Sequence, residues 1–121
     1  MIGVGIDAVE VERFRRALAR QPRLAARLFT EAELAYAGRA VDPTERLAAR
    51  FAAKEAVLKA LGVGLGAADF KEIEVARAPG GEPSVLLHGR AAALARHRGV
   101  RAWHVSLTHT AGGASAVAVA E

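Results

Sequence analysis

The chain has 121 residues, 52% of them hydrophobic and 25% charged, which suits a single domain over 1–121 with a real core. That balance excludes a coiled coil, a disordered tail and a collagen-like repeat, and the absence of cysteine excludes a disulfide scaffold, a thiolate metal site and a cysteine nucleophile. Seventeen Lys and Arg against thirteen Asp and Glu leave a formal charge of +4, which points to an anionic partner: nucleic acid, an acidic protein or a phosphorylated small molecule.

The chain opens without the basic start and long apolar run of a signal peptide. No later apolar run nears the roughly 20 residues that span a bilayer, so a cytosolic protein with no membrane partner is expected. Ile2 to Asp7 alternates apolar residues with glycine and reads as a short strand ending on an acid. Val9 to Arg20 places Val9, Phe14, Ala17 and Leu18 on one side and arginines on the other, the pattern of a helix that Pro22 ends. Thr30-Glu31-Ala32-Glu33 is a capping box that opens a short helix to about Ala37.

Asp42-Pro43 sets a good N-cap before a proline at the first helical position, and a long helix follows to Leu61 with Gly62 closing it. Gly62, Gly64 and Gly66 make the next segment a flexible loop. Ile73 to Arg77 and Ser84 to His88 are strands around a Pro79-Gly80-Gly81 turn, and Arg90 to Arg98 is a short helix. Ala102 to Thr108 and Ser115 to Ala120 are strands joined by a hairpin loop over His109 to Ala114. The sum is an α+β fold, an antiparallel sheet packed on one long helix.

Four features carry possible chemistry. In the long helix the apolar stripe is Leu47, Phe51, Val57, Leu58 and Leu61, and at about 100° per residue Lys54 falls near its middle. Either Lys54 snorkels beside a solvated Glu55–Lys59 pair, or a charge inside an apolar stripe marks a ligand or a subunit contact. Asp7 is either the cap of the following helix or a metal carboxylate; with Glu55 it could supply the pair that Mg²⁺ takes together with substrate phosphates. His109 and Thr110 stand where a strand enters a glycine-rich loop, either as exposed loop residues or as anion contacts. Arg13, Arg16 and Arg20 share one helix face, with Arg23 beyond it: a solvated face, or a docking strip for an acidic helix or nucleic acid.

These segments in this order resemble the holo-acyl-carrier-protein synthases, the short bacterial type of 4′-phosphopantetheinyl transferase. The matching stretches are Gly5-Ile6-Asp7, Leu28-Phe29-Thr30-Glu31-Ala32-Glu33-Leu34, the run from Arg50 through Phe51, Lys54, Glu55 and Lys59 to Gly62, and Ser106-Leu107-Thr108-His109-Thr110. The resemblance implies a homotrimer with active sites between subunits, coenzyme A as donor and apo acyl carrier protein as acceptor. Asp7 and Glu55 would hold Mg²⁺, and Glu55 or a metal-bound water would take the serine proton. Lys59 would serve the leaving phosphate. Arg50, Lys54, His109 and Thr110 would meet the phosphates of coenzyme A, Gly62 and Gly64 would let backbone approach it, and Gly81 and Pro83 would lie in a turn near the nucleotide. Arg13, Arg16, Arg20 and Arg23 would face the acidic carrier. Glu82 departs from a family in which a cation commonly precedes that proline. The rival is a small basic nucleic-acid-binding module, opposed by only 5% aromatic residues and by two carboxylates among the candidate site residues.

Overall fold

In the computed structural model, which describes residues 1–121, the chain runs β1 (Gly3–Glu10), α1 (Val11–Arg20), α2 (Leu24–Leu28), α3 (Glu31–Ala37), α4 (Thr44–Ala60), a 3₁₀ turn (Phe70–Glu72), β2 (Ile73–Arg77), β3 (Pro83–Leu87), α5 (Gly89–His97), β4 (Trp103–His109) and β5 (Gly113–Ala120). Two antiparallel sheets form, one of order β1-β5-β4 and one of β2-β3. Central β5 alternates strictly, turning Ala114, Ala116, Ala118 and Ala120 into the core.

Helix α4 is the axis of the core. One hydrophobic cluster surrounds its C-terminal half, with Val57, Leu61, Ile73 and Ala118, and another its N-terminal half, with Val11, Phe14, Phe29 and Leu47. Its ends are built as the sequence implies. Asp42 Oδ1 accepts from the Thr44 backbone at 3.0 Å and from the Thr44 hydroxyl at 2.8 Å. At the other end Gly62, at φ 72°, closes a Schellman motif: its N–H reaches Lys59 O, and that of Val63 reaches Leu58 O. The helix is nonetheless buried on nearly every side rather than along one stripe, because its many alanines let neighbours close in all round.

The chain's four phenylalanines form one line of rings beside α4, Phe29 to Phe14 to Phe51 to Phe70, with centroids 6.3, 5.3 and 5.2 Å apart. Two elements go beyond the sequence reading. Helix α2 is too short to show a period, and the 3₁₀ turn is held by Glu72 Oε1, which accepts from Asp69 N at 2.8 Å. A third difference concerns β1. It runs on to Glu10 because β5 offers partners for Ala8, Val9 and Glu10, so α1 begins at Val11 and Asp7 lies inside a strand opposite Ala116. Asp7 therefore caps nothing. His109 likewise belongs to β4, paired with Ala114, rather than to the hairpin loop.

Lys54 is the deepest charge. Its side chain is 0% exposed, and its three protons go to Glu33 Oε1 at 2.8 Å, Phe70 O at 2.9 Å and Ile73 O at 2.5 Å. Glu33 is equally saturated: besides Lys54 it accepts from Thr30 N at 2.8 Å and Val75 N at 2.9 Å. Burial pushes the lysine's pKa down and Glu33 resists that shift. Neither snorkelling nor a phosphate contact fits these bonds, since no proton is left over. The pair ties α3, α4, the 3₁₀ turn and β2 into one body.

Removing one partner strands the other charge in the core, so Lys54→Met should cost roughly 3–5 kcal/mol in urea unfolding. The double variant Glu33→Gln/Lys54→Met removes both charges and keeps one amide oxygen, for either Thr30 N or Val75 N, which bond different oxygens of Glu33; it should recover about half of that loss.

Candidate functional site

Gly3, Gly5 and Asp7 share the face of β1 that meets α4. A Cβ at Gly5 would stand 2.0 Å from Ala56 O, so strand and helix touch backbone to backbone there. Two residues further on, Asp7 points at the turn of α4 that carries Glu55 and Lys59. Lys59 Nζ donates to Asp7 Oδ1 at 3.0 Å and to Ile6 O at 2.9 Å. The other oxygen, Asp7 Oδ2, is buried and, while Glu55 is ionised, finds no donor. Glu55 lies against Asp7: burial first, then the Asp7 charge and a hydrogen bond to it, push the Glu55 carboxyl up to about 7, with Lys59 opposing. The fold thus brings together the two carboxylates that the sequence offered as a pair, with Lys59 beside them.

Two cavities meet at Glu55. A groove of about 520 Å³ runs over Val9, Phe14, Phe51 and Phe70, with Arg13 at its edge. A smaller one of about 270 Å³ takes in Glu55, Lys59 and Gly64. Leu65 borders both. A larger depression, about 690 Å³, extends past Leu24 and Leu28 towards Lys71 and His88 and includes neither carboxylate. Gly64 is therefore at the site, whereas Gly62 serves the end of α4.

A second cluster is cationic. The guanidinium groups of Arg50, Arg46 and Arg77 lie 4.2, 4.5 and 4.8 Å from the centre of the Tyr36 ring, and Arg77 also donates to the Tyr36 hydroxyl. Arg50 is only 6% exposed, its Nε has no acceptor, and burial pushes its pKa down. A cavity of about 210 Å³ opens there between Tyr36, Arg39, Arg50, Glu74 and Arg77. Gly81, at φ 93°, sits over the Arg77 side chain, and Pro83 pairs with Arg77 across the hairpin. Sequence reasoning named Arg50, Gly81 and Pro83 but missed Tyr36 and Arg77. The one local signal for the cluster is the i,i+4 spacing of Arg46 and Arg50 on α4.

His109 Nδ1 lies 2.9 Å from Glu45 Oε1. The Thr110 hydroxyl oxygen accepts from Gly112 N and Gly113 N at 3.3 and 3.2 Å, closing the hairpin corner. Arg13, Arg16, Arg20 and Arg23 are all exposed, whereas Arg15 turns back to Glu12, Asp42 and Thr44. No group of three or more His, Cys, Asp or Glu side chains converges, so any metal would draw further ligands from substrate or water. No helix is long and apolar enough to cross a membrane.

The family model of the 4′-phosphopantetheinyl transferase superfamily matches residues 3–120. The holo-[acyl-carrier-protein] synthase of Moorella thermoacetica is 52% identical over 121 residues, all of this chain and 94% of that protein. The fold superposes on the crystal structure of the holo-[acyl-carrier-protein] synthase of Neisseria meningitidis with a TM-score of 0.90 at 31% identity, covering 100% of this chain and 98% of that one. The Helicobacter pylori enzyme of that name, solved in complex with coenzyme A, gives a TM-score of 0.85 at 28% identity over 98% of this chain and 99% of its own.

In protein stripped of divalent cations, Glu55 keeps its proton to about pH 7 when folded but only to about 4.5 when unfolded. The folded state then binds the extra proton between those values, so this group's contribution to stability falls as pH rises from 4.5 to 7 and levels off above. Urea unfolding of EDTA-treated protein across that range should show the decline, and Glu55→Gln should flatten it. An unchanged slope in the variant would clear the carboxyl pair of causing it.

Proposed function

The chain belongs to the 4′-phosphopantetheinyl transferase superfamily, and we propose that it acts as a holo-acyl-carrier-protein synthase. It moves the 4′-phosphopantetheine arm of coenzyme A to a serine of apo acyl carrier protein and releases 3′,5′-ADP, with the cytosol as the setting. The observation that carries this reading is the meeting of Asp7, Glu55 and Lys59 beside a groove. The matched relatives' names supply the reaction.

The residues fit a divalent cation. Asp7 Oδ2 is buried without a donor, and Glu55 crowds it with a second carboxyl that stays protonated to about pH 7. Mg²⁺ commonly takes one or two carboxylates and completes its shell with substrate phosphates and water. Held by Asp7 and Glu55, it would neutralise the pyrophosphate as the β-phosphoryl group transfers. The protein's own residues do the rest. The serine oxygen attacks the β-phosphorus, its proton passes to water or to Glu55 in its ionised form, and the bond to the departing 3′,5′-ADP breaks beside the Lys59 ammonium. Arg50 with the Tyr36 cluster, and His109, offer the anion contacts that coenzyme A phosphates need.

The outer face of the β1-β5-β4 sheet leaves Val4 56% and Ile6 68% exposed. Covering that face is the physical reason to read the protein as a homotrimer with active sites between subunits. The exposed Arg13, Arg16, Arg20 and Arg23 suit an acidic carrier, with Arg13 at the rim of the groove that holds Glu55. The basic net charge and the arginine face of α1 are the support for a nucleic-acid module, and no observation at the site favours it.

Intact mass of apo acyl carrier protein incubated with this protein, coenzyme A and Mg²⁺ should show the gain of one phosphopantetheine arm, abolished by EDTA. Asp7→Ala and Glu55→Ala should each lower the rate on the order of 10²–10⁴-fold; full turnover in either would sink the assignment. Arg13→Glu should weaken carrier binding at low salt more than coenzyme A binding, because its charge acts on the approach of the acidic partner.

A further inference from the structure

Glu45 has no role in the reading above, yet its carboxylate is the hydrogen-bond partner of His109, 2.9 Å from Nδ1. An ionised carboxylate only accepts, so Nδ1 carries the proton and Nε2 is the ring nitrogen left for a ligand. Both supports are fixed. Glu45 stands in the first turn of α4, next to Thr44, whose backbone N–H and hydroxyl are both held by Asp42. His109 is the last residue of β4, paired with Ala114, and the corner after it is locked by Thr110, which donates its N–H to Gly113 O at 2.8 Å and accepts from Gly112 and Gly113. The ion pair itself is more than a third exposed on both sides and so adds little to stability. What it does set is the direction of the imidazole.

We propose that Glu45 is a positioning residue for the donor substrate: it holds Nδ1–H and fixes the aim of the His109 ring, so that Nε2 faces a phosphate group of coenzyme A. This rests on the reading of His109 as a phosphate contact. Phosphate accepts hydrogen bonds, so binding calls for a second proton, on Nε2, and the Glu45 carboxylate at Nδ1 balances the charge that proton brings.

The test is a double-mutant cycle in the transfer assay, with thermal unfolding as the control for folding. Glu45→Ala should raise the KM for coenzyme A about tenfold, the size of one charge-assisted hydrogen bond, and leave kcat within about twofold. The double variant Glu45→Ala/His109→Ala should be no worse than His109→Ala alone, because Glu45 has nothing left to act through. Glu45→Gln keeps an acceptor at Nδ1 and should recover part of the KM. Nitrogen NMR of the His109 ring should lose its Nδ1–H form in Glu45→Ala and keep it in Glu45→Gln. Effects that multiply in the double variant would show that Glu45 acts by its own route, through the helix end for example, and would overturn the proposal. So would an unchanged KM in Glu45→Ala when His109→Ala raises it, with the phosphate role of His109 left standing. An unchanged KM in His109→Ala would overturn both.

Discussion

The backbone of β1 rests on the backbone of α4, and the rest of the site is set by that contact. A Cβ on Gly3 or Gly5 would come within 1.9 or 2.0 Å of the carbonyl oxygens of Ala60 and Ala56. Glycine on the strand and alanine on the helix are therefore one requirement seen from two sides. Once it is met, the strand's period of two carries Asp7 to the same face as Gly5. Glu55 precedes Ala56 on the helix, and Lys59 lies one turn beyond Glu55. The carboxylate pair with its lysine follows from packing two backbones at this height. A strand displaced by the width of a methyl group would open the gap in which Asp7 and Glu55 meet.

The opposite side of α4 must be held as firmly, because rotating the helix would swing Glu55 off β1. Lys54 supplies that restraint. It points away from the site and binds Glu33 and the carbonyls of Phe70 and Ile73. A buried ion pair gains little over well-packed apolar residues of the same size, but it penalises every misplacement of its partners. Here the partners come from α3, the 3₁₀ turn and β2, so one ammonium fixes the rotation of α4 against three elements. Phe70, whose carbonyl it holds, is also a wall of the groove beside Glu55.

Local chemistry was legible in the sequence wherever a signal is complete within a few residues. The Thr30 capping box, the Asp42 cap, the Gly62 stop, the turn near Gly81 and the last strand all stand where the residues place them. What failed depends on partners distant in sequence. Nothing near Val9 announces that β5 will extend β1 to Glu10, so a helix cap stands in the sequence as one of two readings of Asp7. Lys54 looked out of place in an apolar stripe because Glu33 and the two carbonyls that saturate it lie on other elements. The Tyr36 cluster draws on α3, α4 and β2, and Glu45 on the meeting of α4 with β4. No window of sequence contains either. Asp7, Glu55 and Lys59 were named because they fall in motifs, but their proximity is a property of the fold.

Charge in this molecule is graded by depth. Lys54 and Glu33, with no exposure, have every hydrogen bond filled. Arg13, Arg16 and Arg20 of α1, exposed to water, act at a distance. Between these layers the structure leaves just two buried side-chain atoms without a partner, Asp7 Oδ2 and Arg50 Nε. Each such atom costs about 1–3 kcal/mol, more where the group is charged, so a fold that satisfies its other buried side chains has reason to retain them only where something else completes the bond. The two are opposite in kind. Asp7 offers an unpaired acceptor beside a second carboxyl, which a cation satisfies. Arg50 offers an unpaired donor among three further arginines and a tyrosine, which an anion satisfies. A substrate that carries several phosphates and travels with a divalent metal has chemistry for both atoms, and nucleic acid bound by charge alone would not need the acidic one.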